Sequence, residues 1–151
     1  MKKLLVLLLA VMCMFTMSAC GGNTESSGES GTKAYVLGGS GPMTGAAAEY
    51  GNAVYYGGLV AVNEINALGG DIQFDYQFLD DAHDAEQAAS CYAQLMDKHM
   101  QVSLLTVTTA PALTVAPLTN NDGIFAITPS ASSDDVVAAG DYIYRMCFGD
   151  P

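Results

Sequence analysis

The chain has 151 residues, half of them apolar and 14% charged, a size that suggests about one folded domain and a composition that excludes a disordered chain. Four Cys are too few for a disulfide-dense miniprotein. Five Lys and Arg against sixteen Asp and Glu give a formal charge of −11, so neither a nucleic-acid backbone nor an anionic lipid surface meets a basic face.

The N-terminus is set apart from this average. Met1-Lys2-Lys3 is a short basic head, and Leu4 to Phe15 is unbroken apolar sequence if Cys13 is counted. A spanning helix needs about 20 apolar residues, so this run is too short and reads as a secretory signal. Met17-Ser18-Ala19-Cys20 resembles a bacterial lipobox, with Met17 where Leu is usual. Residues 1–19 are therefore expected to be a lipoprotein signal peptide, with Cys20 as the lipidation site and first mature residue. Residues 21–32 carry no aliphatic or aromatic side chain. With Cys20 they form a flexible tether, 20–32, whose twelve polar residues span roughly 20 Å. The folded part is 33–151, held just outside a membrane. Cys91 and Cys147 remain in it; whether they pair depends on Cα positions that sequence does not give.

From Lys33 the chain alternates between two periods. Lys33 to Gly38 reads as a buried strand, and a helix follows from Gly45. Val54, Gly58, Ala61, Val62, Ile65 and Leu68 recur at three- and four-residue spacing and are expected to face inward. Gly57 and Gly58 fit close helix–sheet packing better than a ligand role. Ile72 to Leu79 alternates as a second strand, ending in Asp80-Asp81. Asp84 and Gln87 fit a capping box before a helix carrying Ala88, Cys91, Leu95 and Met96 inward, with His99 at its end. Val102 to Thr108 is a third strand. Thr109 caps a helix with Pro111 in its first turn, and Pro117 is expected to shorten or kink it. Ile124 to Thr128 and Tyr142 to Met146 complete five strands, separated by a weak helical turn.

Strand, helix, strand, helix indicates an α/β fold: a doubly wound, mostly parallel sheet with helices on both faces. Ligands of such sheets bind beyond the strand ends, near a switch in strand order. The residues there are Gly39-Ser40-Gly41-Pro42, Asp80-Asp81, Thr108-Thr109 and Pro129-Ser130-Ala131-Ser132. Free N–H groups at a helix start and nearby hydroxyls suit a small carboxylate.

Other chemistries fit less well. Gly39 to Gly45 spaces its glycines one residue longer than the dinucleotide fingerprint, and the nearest strand-end acid, Asp80, is too distant for its ribose contact. Asp80-Asp81-Ala82-His83-Asp84 has metal-ligand residue types, but a strand end, an N-cap and a loop account for them. The later strand ends lack the Asp and Lys that phosphoryl reception would need. No phosphate loop, GxSxG or usable nucleophile set occurs, so no enzyme activity and no cofactor are expected.

Gly41-Pro42-Met43-Thr44-Gly45, Tyr50-Gly51, Gly58 to Gly70, Asp80-Asp81, Glu86-Gln87-Ala88, Pro111-Ala112-Leu113, Ile127 to Ser132, Tyr144-Arg145 and Asp150 resemble, in the same order, the first lobe of the branched-chain amino-acid substrate-binding proteins of ABC transporters. The resemblance implies a type I periplasmic-binding fold, a monomer that presents an amino acid to a membrane ABC permease. It implies ligand contacts from Tyr50, Thr108, Thr109, Ser130, Ala131 and Ser132, with Thr109 taking the carboxylate. Some members carry a disulfide in this lobe; His83 and Thr108 stand at those positions, so that bridge is absent. Leu104-Leu105-Thr106-Val107 stands where a Gly-Pro pair is common. Family members continue into a second lobe, so this chain is expected to be a fragment. A sensory domain of the same fold, or a receptor for a related amide or carboxylic acid, is the alternative function.

Overall fold

Nine elements follow one another in the expected alternation: β1 (Lys33–Gly41), α1 (Ala48–Ala67), β2 (Ile72–Asp80), α2 (Ala85–Asp97), β3 (Val102–Thr106), α3 (Thr109–Asn121), β4 (Phe125–Thr128), α4 (Asp134–Val137) and β5 (Ile143–Arg145). The structure, a computed structural model, describes residues 33–150; the expected signal segment, Cys20 and the tether lie outside the described residues. All pairings in the sheet are parallel, in the order β2-β1-β3-β4-β5. The chain winds outward from β1 to β2, then returns to the other side of β1. Right-handed crossovers therefore put α1 on one face and α2, α3 and α4 on the other.

The α2–α3 face holds the core. Leu95, Met100, Leu105, Val115, Ala126 and Ile143 pack there, closed by fully buried Ala88 and Ala112. A Cβ at Gly38 would strike Met100 Sδ, so glycine lets the end of α2 close onto β1. Asp84 caps α2 as expected, its carboxylate accepting from Gln87 N at 2.7 Å. The Gln87 side chain does not return to Asp84 but donates to Asp80 O at 3.1 Å, so only half of the box forms.

Helix α1 departs from the expected inward face. Val62 is buried with Gly51, whereas Ala61 is exposed, Ile65 is 40% exposed and Leu68 84%. The helix is apolar around much of its girth and lies over β1 and β2 only, so one arc is covered and periodicity does not say which. On that arc Tyr55 stacks on Tyr76 at 6.0 Å, and Gly58 makes room for the Tyr76 hydroxyl, which a Cβ would meet at 2.5 Å. Gly57, by contrast, faces open space. With no second helix beside α1 among the described residues, Phe125 and Tyr144 stack at 5.2 Å on the same face while remaining about half exposed.

Two local features bear on the strand tips. Gly38 pairs with Ser103 and Ser40 with Thr106, so Gly39 opposes two residues, Leu104 and Leu105. Leu105 takes a left-handed φ of +47°, a conformation costing about 1–2 kcal/mol, and its N–H is satisfied by Ser103 Oγ at 2.9 Å. This bulge falls in the Leu104-Leu105-Thr106-Val107 segment and sets the path of β3 into Thr108. Helix α3 runs through Pro117 to Asn121 instead of ending there. Pro117 is exposed, where water can take the carbonyl left without a donor.

Cys91 and Cys147 do not pair. The buried Cys91 thiol points at Asp80 O and Cys147 at Ala131 O. Burial, with Asp81 and Asp80 nearby, pushes the Cys91 thiol up to about 11, so it stays protonated and inert. No helix among the described residues is long and apolar enough to cross a membrane.

Candidate functional site

The switch in strand order lies between β1 and β3, and a shallow depression of about 270 Å³ opens at their C-terminal ends. Ala47 and Tyr50 enter it from the start of α1, His83 from the β2–α2 loop, Val107, Thr108 and Thr109 from the tip of β3, and Ser130 from the tip of β4. Crossover geometry explains the convergence: each segment leaves its strand at the same edge of the sheet. Four residues implied by the resemblance, Tyr50, Thr108, Thr109 and Ser130, meet here.

The start of α3 is unusual for a threonine cap. Thr108 occupies the N-cap with extended backbone, φ −111° and ψ 151°, yet its hydroxyl makes no capping bond. Instead Thr108 Oγ1 lies 2.9 Å from His83 Nδ1. The first-turn N–H groups of Thr109 and Ala110 are therefore left without an intrahelical or side-chain acceptor, and the third position is Pro111, which has none. The Thr109 side chain makes no hydrogen bond among the described residues. Thr109 thus brings an uncapped helix start and an unengaged hydroxyl to the lining of a largely apolar hollow, a suitable place for a carboxylate.

The paired acids at the tip of β2 are not available in this way. Asp80 accepts from Met43 N at 2.8 Å, Thr44 Oγ1 at 2.7 Å and Ala82 N at 2.9 Å, tying the β1–α1 loop to β2. Burial alone would raise its pKa; hydrogen bonds from the Thr44 hydroxyl and the backbone of Met43, Ala82 and Thr44 outweigh it and hold the carboxyl below the ordinary 3.8. Asp81 is fully buried, accepting from Ser40 Oγ at 2.9 Å and His83 N at 3.0 Å. Its burial prevails over those bonds and raises its pKa, with Asp80 adding to the effect. The loop they clamp holds Ala82 and His83 at φ +50° and +63°. Among the described residues no group of three His, Cys, Asp or Glu is placed to hold a metal.

Ala131 and Ser132 stand outside the depression. Ala131 is buried, its N–H donating to Thr128 Oγ1 at 3.0 Å and its carbonyl facing Cys147. The Ser132 hydroxyl donates to Asp150 Oδ2 at 2.6 Å, and its carbonyl accepts from Arg145 Nη1 at 2.8 Å and Asp150 N at 3.0 Å. Arg145 also pairs with Asp134 at 2.8 Å. These two positions stitch the segment after β5 to the segment after β4. Ser130 is different: its hydroxyl donates to Val107 O at 2.7 Å, leaving the oxygen able to accept, and it lines the hollow.

His83, Val107 and Ala47 were not expected at the site. The signal for His83 lies in the resemblance, which implies that His83 and Thr108 stand at positions that some family members bridge with a disulfide. Positions close enough for that bond are close enough for the hydrogen bond seen here. A larger hollow of about 400 Å³ lies between Asp80 and α2, lined by Leu79, Gln87, Ser90, Cys91 and Gln94. It lies on the β2 side of β1, and the helix start that borders it is already capped, Gln87 N donating to Asp84 Oδ1 at 2.7 Å.

Comparison with known proteins identifies the family and the fold. The pattern of the family described as periplasmic binding protein matches residues 34–150. A Leu/Ile/Val-binding protein homolog of Brucella melitensis is 31% identical over 112 residues, covering 72% of this chain and 30% of the relative. The fold superposes with a TM-score of 0.73, at 27% identity, on a branched-chain amino acid transporter substrate binding protein from Streptococcus pneumoniae in complex with isoleucine, covering 78% of this chain and 34% of the other. A solute binding protein of an ABC transporter from Rhodopseudomonas palustris, in complex with 3,4-dihydroxy benzoic acid, shares the fold at 20% identity, TM-score 0.71, with 77% of this chain and 32% of that one covered. The chain spans about 30% of the length of the curated relatives it matches.

Proposed function

We propose that this chain, which belongs to the periplasmic binding protein family, carries the amino-acid head-group half of a receptor that serves an ABC importer. The observation that carries the reading is the unengaged start of α3, where the N–H groups of Thr109 and Ala110 lack a capping partner and Thr109 lines the depression. There the α-carboxylate sits at the helix N-terminus, Ser130 accepts from the α-ammonium, and Tyr50 borders the side chain. The ligand class follows from the relatives named for leucine, isoleucine and valine and from the neighbour that holds isoleucine. Cys20 carries the lipid that keeps the protein at the outer face of the membrane, and an ABC permease receives the cargo. The role is binding, without chemistry on the ligand.

Saturation-transfer NMR of the chain against L-leucine, L-isoleucine, L-valine and 3,4-dihydroxybenzoate tests the ligand class. The aliphatic amino acids should give saturation transfer and the aromatic acid should give none. Transfer to the aromatic acid alone would replace the amino-acid reading. Mass spectrometry of the membrane fraction should find a diacylglyceryl group on Cys20; an unmodified Cys20 would remove the anchor.

A further inference from the structure

We propose that His83 makes the affinity of this site depend on pH, its imidazolium facing the bound carboxylate beside Thr109. The inference rests on the amino-acid-binding reading above and adds to it the residue that sets how strongly the anion is held.

His83 and Thr109 line the same depression, and Nδ1 of His83 is fixed 2.9 Å from Thr108 Oγ1 at the cap of α3. That hydroxyl suits either charge state, donating to a bare Nδ1 or accepting from a protonated one. Taking up a proton therefore changes the charge of the ring and leaves its position unchanged. The backbone is fixed as well: His83 N donates to buried Asp81, and the left-handed Ala82–His83 pair sits between the clamped Asp80 and the cap residue Asp84.

Among the described residues, His83 is the cation-forming side chain that lines the hollow. Its own loop brings Asp80, Asp81 and Asp84. Asp80 and Asp84 accept from backbone N–H groups, and Asp81 is closed beneath the loop, where it attracts positive charge on the ring. Across the hollow α1 brings the phenol of Tyr50, with exposed Glu49 next to it in sequence. The first turn of α3 carries no acid and the β4 tip contributes only Ser130. Lys98 is engaged by Gln77, and Arg145 by Ser132 and Asp134. Histidine is the side chain that changes charge between about pH 5 and 8, while the carboxylate and ammonium of an aliphatic amino acid keep theirs.

The dissociation constant of L-isoleucine, measured by NMR titration near pH 5 and near pH 8 on the wild-type chain and on His83→Gln, tests this. Wild type should bind roughly fivefold more tightly at the lower pH, with a smaller difference in added salt. His83→Gln should bind equally at both. The His83 ring resonances of wild type give a reading that needs no variant: isoleucine should keep the ring protonated to higher pH. The same pH dependence in wild type and His83→Gln, or ring resonances unaffected by isoleucine, would overturn the role of His83 and leave amino-acid binding intact. Absence of isoleucine binding at both pH values would overturn the amino-acid reading, and this inference with it.

Discussion

The tips of β2 and β3 are built alike and do opposite things. Each strand ends at the same edge of the sheet and runs through a short loop into a helix. The β2 tip carries two carboxylates, and both are fully engaged: Asp80 by the β1–α1 loop and Asp81 by Ser40 and the backbone of His83. The β3 tip carries two threonines and leaves the helix start behind them open. The paired acids are thus structural here, and the hydroxyls of the β3 tip belong to the candidate site. The reason is electrostatic: a carboxylate beside helix-start amides satisfies them itself, as Asp84 does at α2, and so excludes an anionic ligand. A threonine whose hydroxyl is drawn away by His83 leaves them free.

The largest expected effect is at the β2 tip. Asp81→Ala orphans the buried Ser40 hydroxyl and the His83 N–H, and should lower unfolding free energy by about 3 kcal/mol in urea titration. A loss under about 1 kcal/mol would show that the carboxylate does not hold the loop. Asp80→Asn should cost less, about 1–2 kcal/mol, because its bonds lie nearer to solvent.

The two acids also differ in pH response. Asp80, with its folded pKa below 3.8, contributes stability that is present above that value and is lost as pH falls through the folded pKa. Asp81, raised, does the reverse: its protonated form favours the fold, and that contribution fades as pH rises through its folded pKa. Acid titration of Asp80→Asn should therefore show a shallower loss of stability below pH 3.8 than wild type. An unchanged acid limb would contradict the assignment.

At the β3 tip the pattern should invert. Thr109→Val should change stability by no more than about 0.5 kcal/mol while weakening isoleucine about tenfold, read by NMR titration. The smallest effect belongs to Ser132→Ala. It removes a bond to exposed Asp150, so stability should fall by less than about 1 kcal/mol and isoleucine affinity should be unchanged. Weakened binding in that variant would return Ser132 to the site.

Much of this was legible in the chain. Alternating periods give the order of elements and the parallel sheet, and the crossover rule locates the strand tips. Three things were not legible. Helix α1 is apolar over several arcs, so Ala61, Ile65 and Leu68 were misplaced; which arc packs depends on how much sheet the helix covers. The β3 bulge at Leu105 is a left-handed residue with no glycine to announce it. Ser132 has the residue type of a ligand group, but Asp150, eighteen residues later, occupies its hydroxyl, a contact that no local pattern encodes. The place of His83 in the site followed from the same positions as the missing disulfide and needed only the three-dimensional neighbourhood of Thr108.

The most direct test of the central claim is a 15N amide titration of the chain with L-isoleucine. The account predicts the largest shifts at Thr109, Ala110 and Ser130, with Asp80 and Asp81 nearly still. Shifts centred on Asp80 and Asp81, with Thr109 and Ala110 unmoved, would contradict it.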